Sequence, residues 1–450
     1  MLKRIKSGHD INYKNYRMIN ITPMQFEEFV CLGHHTKENI TINGVQLDEH
    51  FSLGDCFPVE NIVKRDSFSS FPDSFVIQKN RKAVKGVSYQ EAEAYWVKFI
   101  DNSIIPQPYK YSGLHYGGFI QEADEWCLPS WIWTNAAVVR MYCRTNQIEK
   151  AKALCDLLIE NQSDEGYWVV RYDYHENGLI PVVAPNDSAY IANNACLEVF
   201  LNTNEKKYLE SAQKCAQWIM KSAKKDGMVY VGYDISKKEW IDTHNIVDVG
   251  FTAGLFSNLF KFTKQAEYKE FLATFVDRYV SLFYDEKAGA FSTALDKNEN
   301  RIGGMFGRGQ AWALEGLIPA YSVLQDYKIR AVIQSTVDTL LKNQNGDGSW
   351  HYNLQRKFLG KDCKSTPIIA LSLLNWYGIT REQKLLDATK SALNWCIKNT
   401  VCSGKNVGGI FDYSFEGAVV HSFFTNTAFV YSSAYAIELK MQIEEVERGN

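Results

Sequence analysis

The chain has 450 residues, a formal net charge of −3 and 46% hydrophobic residues. This composition supplies a large hydrophobic core, and no Lys/Arg-rich run marks a surface for nucleic acid. No stretch of 18 apolar residues occurs, so we expect no membrane span. The ten cysteines show no Cys-x-x-Cys or Cys/His metal spacing, which predicts buried, reduced thiols in a cytoplasmic protein.

Residues 1–85 lack the periodicity of the rest of the chain. Short apolar runs alternate there with polar, Pro and Gly breaks, a pattern that predicts short strands or irregular cover. The first twenty residues are basic but contain no apolar core of a secretory signal. We therefore predict an N-terminal extension over 1–85 and one catalytic domain over 86–450.

Five glycine-bearing turns recur through the remaining chain at steps of 61, 62, 59 and 61 residues. They are centred on Gly166, Gly227, Gly289, Gly348 and Gly409. A fixed period of this size indicates one supersecondary unit copied several times. Each turn follows one helical pattern and precedes another, so the predicted unit is a pair of helices.

Twelve helical patterns of two alternating kinds can be distinguished by apolar spacing. Charged patterns with one apolar face are predicted at 88–102, 147–161, 205–222, 266–283, 328–344 and 381–398. Patterns that are apolar or small on all faces are predicted at 129–145, 186–201, 247–262, 308–324, 364–377 and 426–440. Helices with little charge on any face are buried. The sequence therefore predicts an all-α (α/α)6 barrel with inner and outer rings of six helices.

All connections from outer to inner helices lie at one end of such a barrel, and in this chain they are the long loops. Long loops on one rim commonly build a binding site. The inner helices direct their N-termini to that rim, which favours an anionic ligand. Aromatic residues make up 14% of the chain, and they could serve either as flat platforms for sugar rings or as core packing.

Charged residues occupy equivalent places near the starts of three successive inner helices. Asp187 and Asp248 are 61 residues apart, and Arg308 follows 60 residues later. Two carboxylates in one cleft are the minimum requirement for acid/base chemistry on a glycosidic bond. Structural roles stay open: Asp187 could cap its helix, and Asp248 could compensate a helix dipole. Arg308 opposes the helix dipole, so it requires an acidic partner or a bound anion.

Further candidates for substrate binding lie on or beside the long loops. Gln310 and Trp312 follow Arg308 in the same region of the helix, and Trp312 suits the core as well as a sugar platform. The remaining candidates are His244, Trp168 and Trp350.

The segment FGRGQAWALEGL around Arg308 resembles the RGQAW segment of unsaturated glucuronyl hydrolases, a family of (α/α)6-barrel glycosidases. The resemblance covers about residues 88–440. In that family an Asp opens one inner helix, a second Asp opens the next, and RGQAW follows. The later segment DCKSTPIIALSLL, with Asp362 and Ser365, is similar to an Asp-Ser helix of the family.

The resemblance implies hydration of a C4=C5 double bond in a terminal uronic sugar, followed by loss of the glycosidic bond. Asp248 would protonate C4 and activate water, Asp187 would assist, and Arg308 and Trp312 would contact the substrate. It implies no metal and no organic cofactor. The expected partner is an oligosaccharide or polysaccharide, without nucleic acid or membrane, and the protein is expected to be a monomer or homodimer. Asn186 departs from the family, which places His directly before the first Asp.

Three other functions stay open from the sequence. The segments Gln162–Trp168 and Gln344–Trp350 look like the Gln/Trp repeats of terpene cyclases and prenyltransferase subunits, but no DxDD or DDxxD cluster accompanies them. A sugar or uronyl epimerase would use a histidine near the rim, and a non-catalytic glycan-binding barrel would need no base. The candidate histidines are His115, His175, His244, His351 and His421.

Overall fold

The computed structural model describes residues 40–42, 45–47, 86–109, 111–120, 125–126, 130–169, 171–173, 178–179, 182–241, 246–295, 298–355, 357, 360–414 and 427–449. Within the predicted N-terminal extension they include one antiparallel hairpin, formed by β1 (Ile40–Ile42) and β2 (Val45–Leu47). The rest of that prediction lies outside the described residues.

Twelve helices are found among the described residues, at the places that the apolar spacing predicts. In chain order they are α1 (Tyr89–Asn102), α2 (Ile132–Arg144), α3 (Ile148–Glu160), α4 (Pro185–Ile191, continued by Ala192–Leu197 and Glu198–Thr203), α5 (Lys206–Trp218, continued by Ile219–Ala223), α6 (Val247–Gly250, continued by Phe251–Thr263), α7 (Ala266–Phe283), α8 (Gly307–Leu324), α9 (Tyr327–Asn343), α10 (Ser365–Thr380), α11 (Gln383–Lys398) and α12 (Val430–Gly449).

The even-numbered helices form a closed inner ring. Each contacts the next along the chain, and α12 contacts α2 to close the circle. The odd-numbered helices pack outside them, and each buries one apolar stripe while its other face is wet. The predicted (α/α)6 barrel is therefore confirmed. The largest difference is at α12, which runs to Gly449, whereas its apolar pattern predicted an end near 440.

Short strands on the long loops cover the end of the barrel where the inner helices begin. They are β3 (Gly118–Ile120), β4 (Glu125–Trp126), β5 (Ser130–Trp131), β6 (Arg171–Asp173), β7 (Gly178–Leu179), β8 (Val182–Val183), β9 (Lys224–Lys225), β10 (Met228–Val229), β11 (Gly232–Asp234), β12 (Glu239–Ile241), β13 (Tyr284–Asp285), β14 (Ala290–Phe291), β15 (Ala294–Leu295), β16 (Arg301–Ile302), β17 (Gly360–Lys361), β18 (Phe411–Ser414) and β19 (Thr427–Phe429).

The largest sheet among these strands joins loops that are far apart in sequence. Its order is β17-β18-β19-β3-β4, so it links the α9–α10, α11–α12 and α1–α2 loops. Its register pairs Ala428 with Phe119 and Lys361 with Tyr413. A second sheet, β12-β11-β8, joins the loops before α4 and α6. These sheets hold the starts of the inner helices in place.

Left-handed glycines bring each long loop against the next outer helix. Gly348 has a φ of +94°, and a Cβ added there would lie 2.2 Å from the carbonyl oxygen of Ser391 in α11. Only a glycine permits both this backbone conformation and this close approach. In the fifth turn the left-handed residue is Gly408, with a φ of +90°, and not the predicted Gly409. A sixth turn, at Gly113, completes the ring against α3.

The Gln and Trp residues of two turns tie the loops to the helices. The Gln344 side-chain nitrogen donates to the carbonyl oxygens of Gly348 (3.0 Å) and of Ala388 in α11 (2.9 Å). The indole N–H groups of Trp168 and Trp350 donate to backbone oxygens of the preceding outer helices, and both rings are buried. Both indoles thus tie a loop to an outer helix, and substrate binding by these two rings stays a prediction.

No helix of the described residues has the length and hydrophobicity needed to cross a bilayer.

We predict that Gly348→Ala lowers the free energy of unfolding by at least about 2 kcal/mol, because the substitution adds left-handed strain to a backbone clash. Gly346→Ala in the same turn is the matched control, since a Cβ there would meet no heavy atom within 4 Å. Chemical denaturation of both variants measures the effect. Equal stability of the two variants would contradict the packing role of the glycine.

Candidate active site

Three charged residues lie in the first turns of successive inner helices at the long-loop end. Asp187 is the third residue of α4, Asp248 lies in the 3-10 turn that begins α6, and Arg308 is the second residue of α8. Their exposed fractions are 5%, 4% and 1%. Charged groups buried to this degree need specific partners or a function.

An aromatic layer lies one helical turn below these residues. The rings of Tyr190 and Phe251 have centroids 4.6 Å apart, and those of Phe251 and Trp312 are 5.6 Å apart. Each ring follows one of the three charged residues by three or four positions, and such residues share a helix face. Because the three rings contact one another in succession, the three charged residues belong to the neighbouring faces of α4, α6 and α8.

Asp187 does not cap its helix, contrary to the structural role that its sequence position allowed. The N-cap residue of α4 is Ala184, and no side chain caps this end. The Oδ2 atom of Asp187 is buried and has no hydrogen-bond partner among the described residues. Burial raises the pKa of Asp187 to about 7. This carboxyl group can therefore carry a proton close to neutral pH.

Asp248 lies in a turn whose backbone is fixed by surrounding elements. The Tyr279 hydroxyl of α7 donates to the carbonyl oxygen of Val247 (2.8 Å), and the Val247 N–H donates to Thr293 (2.9 Å). Burial, and then the nearby charge of Asp248, raise the pKa of Tyr279 well above its ordinary value. The outer helix and the α7–α8 loop thus position this acid.

Arg308 is surrounded by aromatic rings and paired with an acid. Its guanidinium carbon lies 4.8 Å from the ring centroid of Phe306, 5.6 Å from Trp312 and 5.7 Å from Tyr352. Its Nε lies 3.5 Å from Oδ2 of Asp362. Cation–π contact and the carboxylate both offset the cost of a buried cation at a helix N-terminus. The predicted need for an acidic partner is therefore met by Asp362.

Asp362 also holds the beginning of α10. Its Oδ1 accepts the backbone N–H of Lys364 (2.9 Å), and its Oδ2 accepts the Ser365 hydroxyl (2.6 Å). Burial alone would raise the pKa of Asp362, but the charges of Arg308 and Lys364, with these hydrogen bonds, hold it below its ordinary value. Asp362 therefore stays ionised, in contrast to Asp187.

Gln310 and Trp312 have different environments. Gln310 is fully buried; its Oε1 accepts the Phe291 N–H (2.8 Å), and its Nε2 donates to the oxygens of Phe291 (2.8 Å) and Phe306 (3.1 Å). Gln310 therefore ties the preceding loop to α8, and its binding of substrate stays a prediction. Trp312 lies in the aromatic layer beside Arg308, and its contact with substrate stays a prediction.

The histidine candidates do not support an epimerase site within the described residues. The His115 Nδ1 atom is 2.8 Å from the Ser103 hydroxyl, and burial lowers the pKa of His115 to about 4. Burial also lowers the pKa of His351 to about 4. Such values lie far from the operating pH that suits a general base. The other candidates, His175, His244 and His421, lie outside the described residues.

Aromatic side chains complete the ring of inner-helix starts at α12 and α2. Trp131 and Trp133 stack with centroids 5.3 Å apart, and Trp131 also stacks on Phe429 at 6.4 Å. Trp133 meets Tyr431 edge-on at 4.8 Å. The sequence signal for these four residues is their place at the starts of apolar helices. They carry no charge, so the spacing of charged residues does not identify them.

One cluster has atoms placed as possible metal ligands, at Asp362, Cys363 and Asp412. Burial, followed by the adjacent carboxylates, raises the pKa of the Cys363 thiol well above its ordinary value. A protonated thiol is a poor ligand, and the charges of Arg308 and Lys364 beside Asp362 oppose a further cation. The chemistry of this cluster thus disfavours a metal ion, and the prediction of no metal is retained.

We predict that Asp187→Asn raises the melting temperature more at pH 7.5 than at pH 4.5. The pKa of Asp187 rises on folding from 3.8 to about 7, so between these values the folded state keeps a proton that the unfolded state loses. Wild-type stability therefore falls as pH rises through this window, by at most about 1.4 kcal/mol per pH unit. Asparagine does not titrate.

Thermal melts at both pH values test this prediction, with Asp164→Asn, at an exposed loop position, as the control. The control is expected to show the same difference from wild type at both pH values. A constant difference for Asp187→Asn as well would mean that its carboxyl group does not titrate in this window.

Three solved structures with a similar fold are each 14% identical to this chain. An unsaturated glucuronyl hydrolase from Bacillus sp. GL1, described as responsible for the degradation of glycosaminoglycan, is 14% identical with a TM-score of 0.61, covering 80% of this chain and 97% of its own. An unsaturated glucuronyl hydrolase specific for heparin has the same identity and TM-score, with coverages of 80% and 98%. A family 76 alpha-mannanase from Bacteroides thetaiotaomicron is 14% identical with a TM-score of 0.60, with coverages of 84% and 99%.

No curated protein matches the sequence. The sequence profile of Glycosyl Hydrolase Family 88 matches residues 119–373, which span α2 to α9 and most of α10 and include the three charged first-turn residues. The resemblance that RGQAW indicated is thereby confirmed over more than half of the chain. The chain belongs to glycosyl hydrolase family 88.

Proposed function

We propose that the protein hydrolyses an acidic oligosaccharide whose terminal uronic sugar carries a C4=C5 double bond. The observation that carries this proposal is the pair of buried acids, Asp187 and Asp248, at the starts of neighbouring inner helices, with the cation Arg308 on the next helix. The names of two structures with a similar fold, both unsaturated glucuronyl hydrolases, support the same substrate class.

The proposed reaction is an addition of water to the double bond. A proton from the Asp248 carboxyl group adds to C4, and the hydroxyl of a water molecule adds to C5. Asp248 takes the second proton of that water and so returns to its starting state. The resulting hemiketal opens, and the glycosidic bond breaks. Acid and base assistance of this kind contributes about 10²- to 10⁴-fold to a rate.

Asp187 suits a supporting role because its environment favours the protonated form. Its pKa is raised to about 7 by burial, so near neutral pH it can donate a hydrogen bond to a neighbouring carboxylate or to the attacking water. Once Asp248 has given its proton to C4, a protonated Asp187 also avoids two buried negative charges on adjacent helix starts, which would be costly.

Arg308 suits the recognition of the sugar carboxylate. It is almost fully buried among aromatic rings, and water is largely excluded there. A charge-assisted contact in such a site is stronger than one at the surface. A monomeric or homodimeric state and a cytoplasmic location stay predictions.

We predict that Asp248→Asn lowers turnover by about 10²- to 10⁴-fold and leaves the fold intact. The assay follows the loss of ultraviolet absorbance as an unsaturated uronyl disaccharide loses its double bond. Circular dichroism of the variant serves as the check on folding, and Asp164→Asn serves as a charge-matched control with expected wild-type activity. Full activity of Asp248→Asn would exclude it as the general acid.

We predict that Arg308→Ala raises KM for an acidic disaccharide about ten- to a hundredfold, because a charge-assisted hydrogen bond contributes about 1.5–3 kcal/mol. Arg308→Lys keeps the charge but loses the planar fork, so it should recover only part of the loss. Initial rates over a range of substrate concentrations separate KM from kcat. An unchanged KM in both variants would assign Arg308 to structure alone.

A further inference from the structure

Lys364 lies in the ring of inner-helix starts at the place next to Arg308. It directly precedes the first residue of α10, Ser365, and comes 56 residues after Arg308 in the repeat. Its residue surface is 0% exposed. The inner-helix starts therefore carry two acids at α4 and α6, followed by two cations at α8 and α10.

Among the inner-helix starts, Lys364 lies between the charged residues of α4, α6 and α8 and the aromatic residues of α12 and α2. Its Nζ is 3.7 Å from the ring centroid of Phe429, and the Phe429 ring also stacks with Trp131. Cation–π contact holds a lysine on an aromatic face while its charge still acts on groups nearby. Phe429 therefore fixes the long and flexible Lys364 side chain at the rim.

Asp362 connects the two cations. Its Oδ2 is 3.5 Å from the Arg308 Nε, and its Oδ1 accepts the backbone N–H of Lys364 (2.9 Å). The second acid nearby, Asp412, accepts hydrogen bonds from the Cys363 N–H (3.1 Å) and from the N–H (3.2 Å) and hydroxyl (2.7 Å) of Ser414. Asp412 lies in strand β18, and these neutral donors tie that strand to Cys363, just before α10.

We propose that Arg308 and Lys364, linked by Asp362, form a two-cation clamp for the carboxylate of the substrate, and that Lys364 determines the preference for an acidic over a neutral sugar. The proposal deepens the proposed function and rests on it for the location of the sugar. The two cations differ usefully, because a guanidinium fixes the plane of a carboxylate while an ammonium supplies a compact point charge. Asp362 is the positioning residue between them.

The test compares the binding of glucuronic acid with that of its neutral methyl ester. Intrinsic tryptophan fluorescence reports binding, since Trp312 lies beside Arg308 and Trp131 stacks on the ring below Lys364. Wild type is expected to bind the acid at least about tenfold more tightly than the ester, a difference of about 1.4 kcal/mol. Lys364→Met should weaken acid binding about tenfold and leave ester binding unchanged, while Lys364→Arg should restore most of the preference.

Matched variants separate recognition from folding. Lys361, in the same segment, pairs with Asp347 at 2.6 Å on a partly exposed loop. Lys361→Met should therefore keep the wild-type preference for the acid over the ester. Lys364→Gln is measured in parallel. If Lys364→Met does not fold, the ratio of acid to ester binding can still be measured in Lys364→Gln. Melting temperatures are recorded for every variant.

The outcomes distinguish this proposal from the proposed function. An acid-to-ester ratio that stays at the wild-type value in the Lys364 variants, even with a lower melting temperature, overturns the clamp and assigns Lys364 to structure. A wild type that does not prefer the acid overturns it as well. The preference for the acid could depend on Lys364 while the wild-type protein leaves the unsaturated disaccharide intact. That pair of results would keep the clamp and reject the hydrolytic reaction.

Discussion

The barrel depends on the close contact between the glycine turn of each long loop and the next outer helix. At Gly348 and Gly408 the approach leaves no room for a Cβ, because the carbonyl oxygens of Ser391 and Tyr95 occupy its place. Gln344 adds hydrogen bonds on both sides of one such contact. These contacts fix where each loop delivers the following inner helix, and the Gly408 contact with α1 joins the last loop to the first helix. The first turns of the inner helices are therefore held at one rim.

Below this rim, buried polar contacts join the inner helices. Arg140 of α2 donates to Glu315 of α8 (2.6 Å), Glu438 of α12 (2.8 Å) and Asn194 of α4 (2.9 Å). A buried ion network of this kind adds little net stability, but breaking it would leave an unpaired charge. Beyond it, at the far end of the barrel, lies a cavity of about 840 Å³. A site built on packed helices that are joined in this way has little freedom to shift, which suits acid/base chemistry.

The rim separates its carboxyl groups into two kinds by their surroundings. Burial raises the pKa of Asp187 to about 7, whereas Arg308 and Lys364 hold the pKa of Asp362 below its ordinary value. Both acids are buried, so the difference comes from the cations and not from solvent. Pairs of carboxyl groups with such opposed environments commonly divide a reaction between a proton carrier and a fixed charge. In the proposed reaction Asp187 accordingly supports Asp248 in its protonated form, while Asp362 stays ionised beside Arg308 and Lys364.

The sequence by itself determined the number, order and burial of the helices, because apolar spacing and glycine turns are local signals that depend only on residues close together in the chain. It also placed charged residues at equivalent first turns, since a repeat converts sequence spacing into spatial position. It could not tell which neighbours of Arg308 face the lumen: Gln310, two positions on, points into a loop, whereas Trp312, four positions on, shares the helix face. Only the tertiary structure joined Asp362 and Lys364 to Arg308, because contacts between residues more than fifty positions apart depend on how the ring closes.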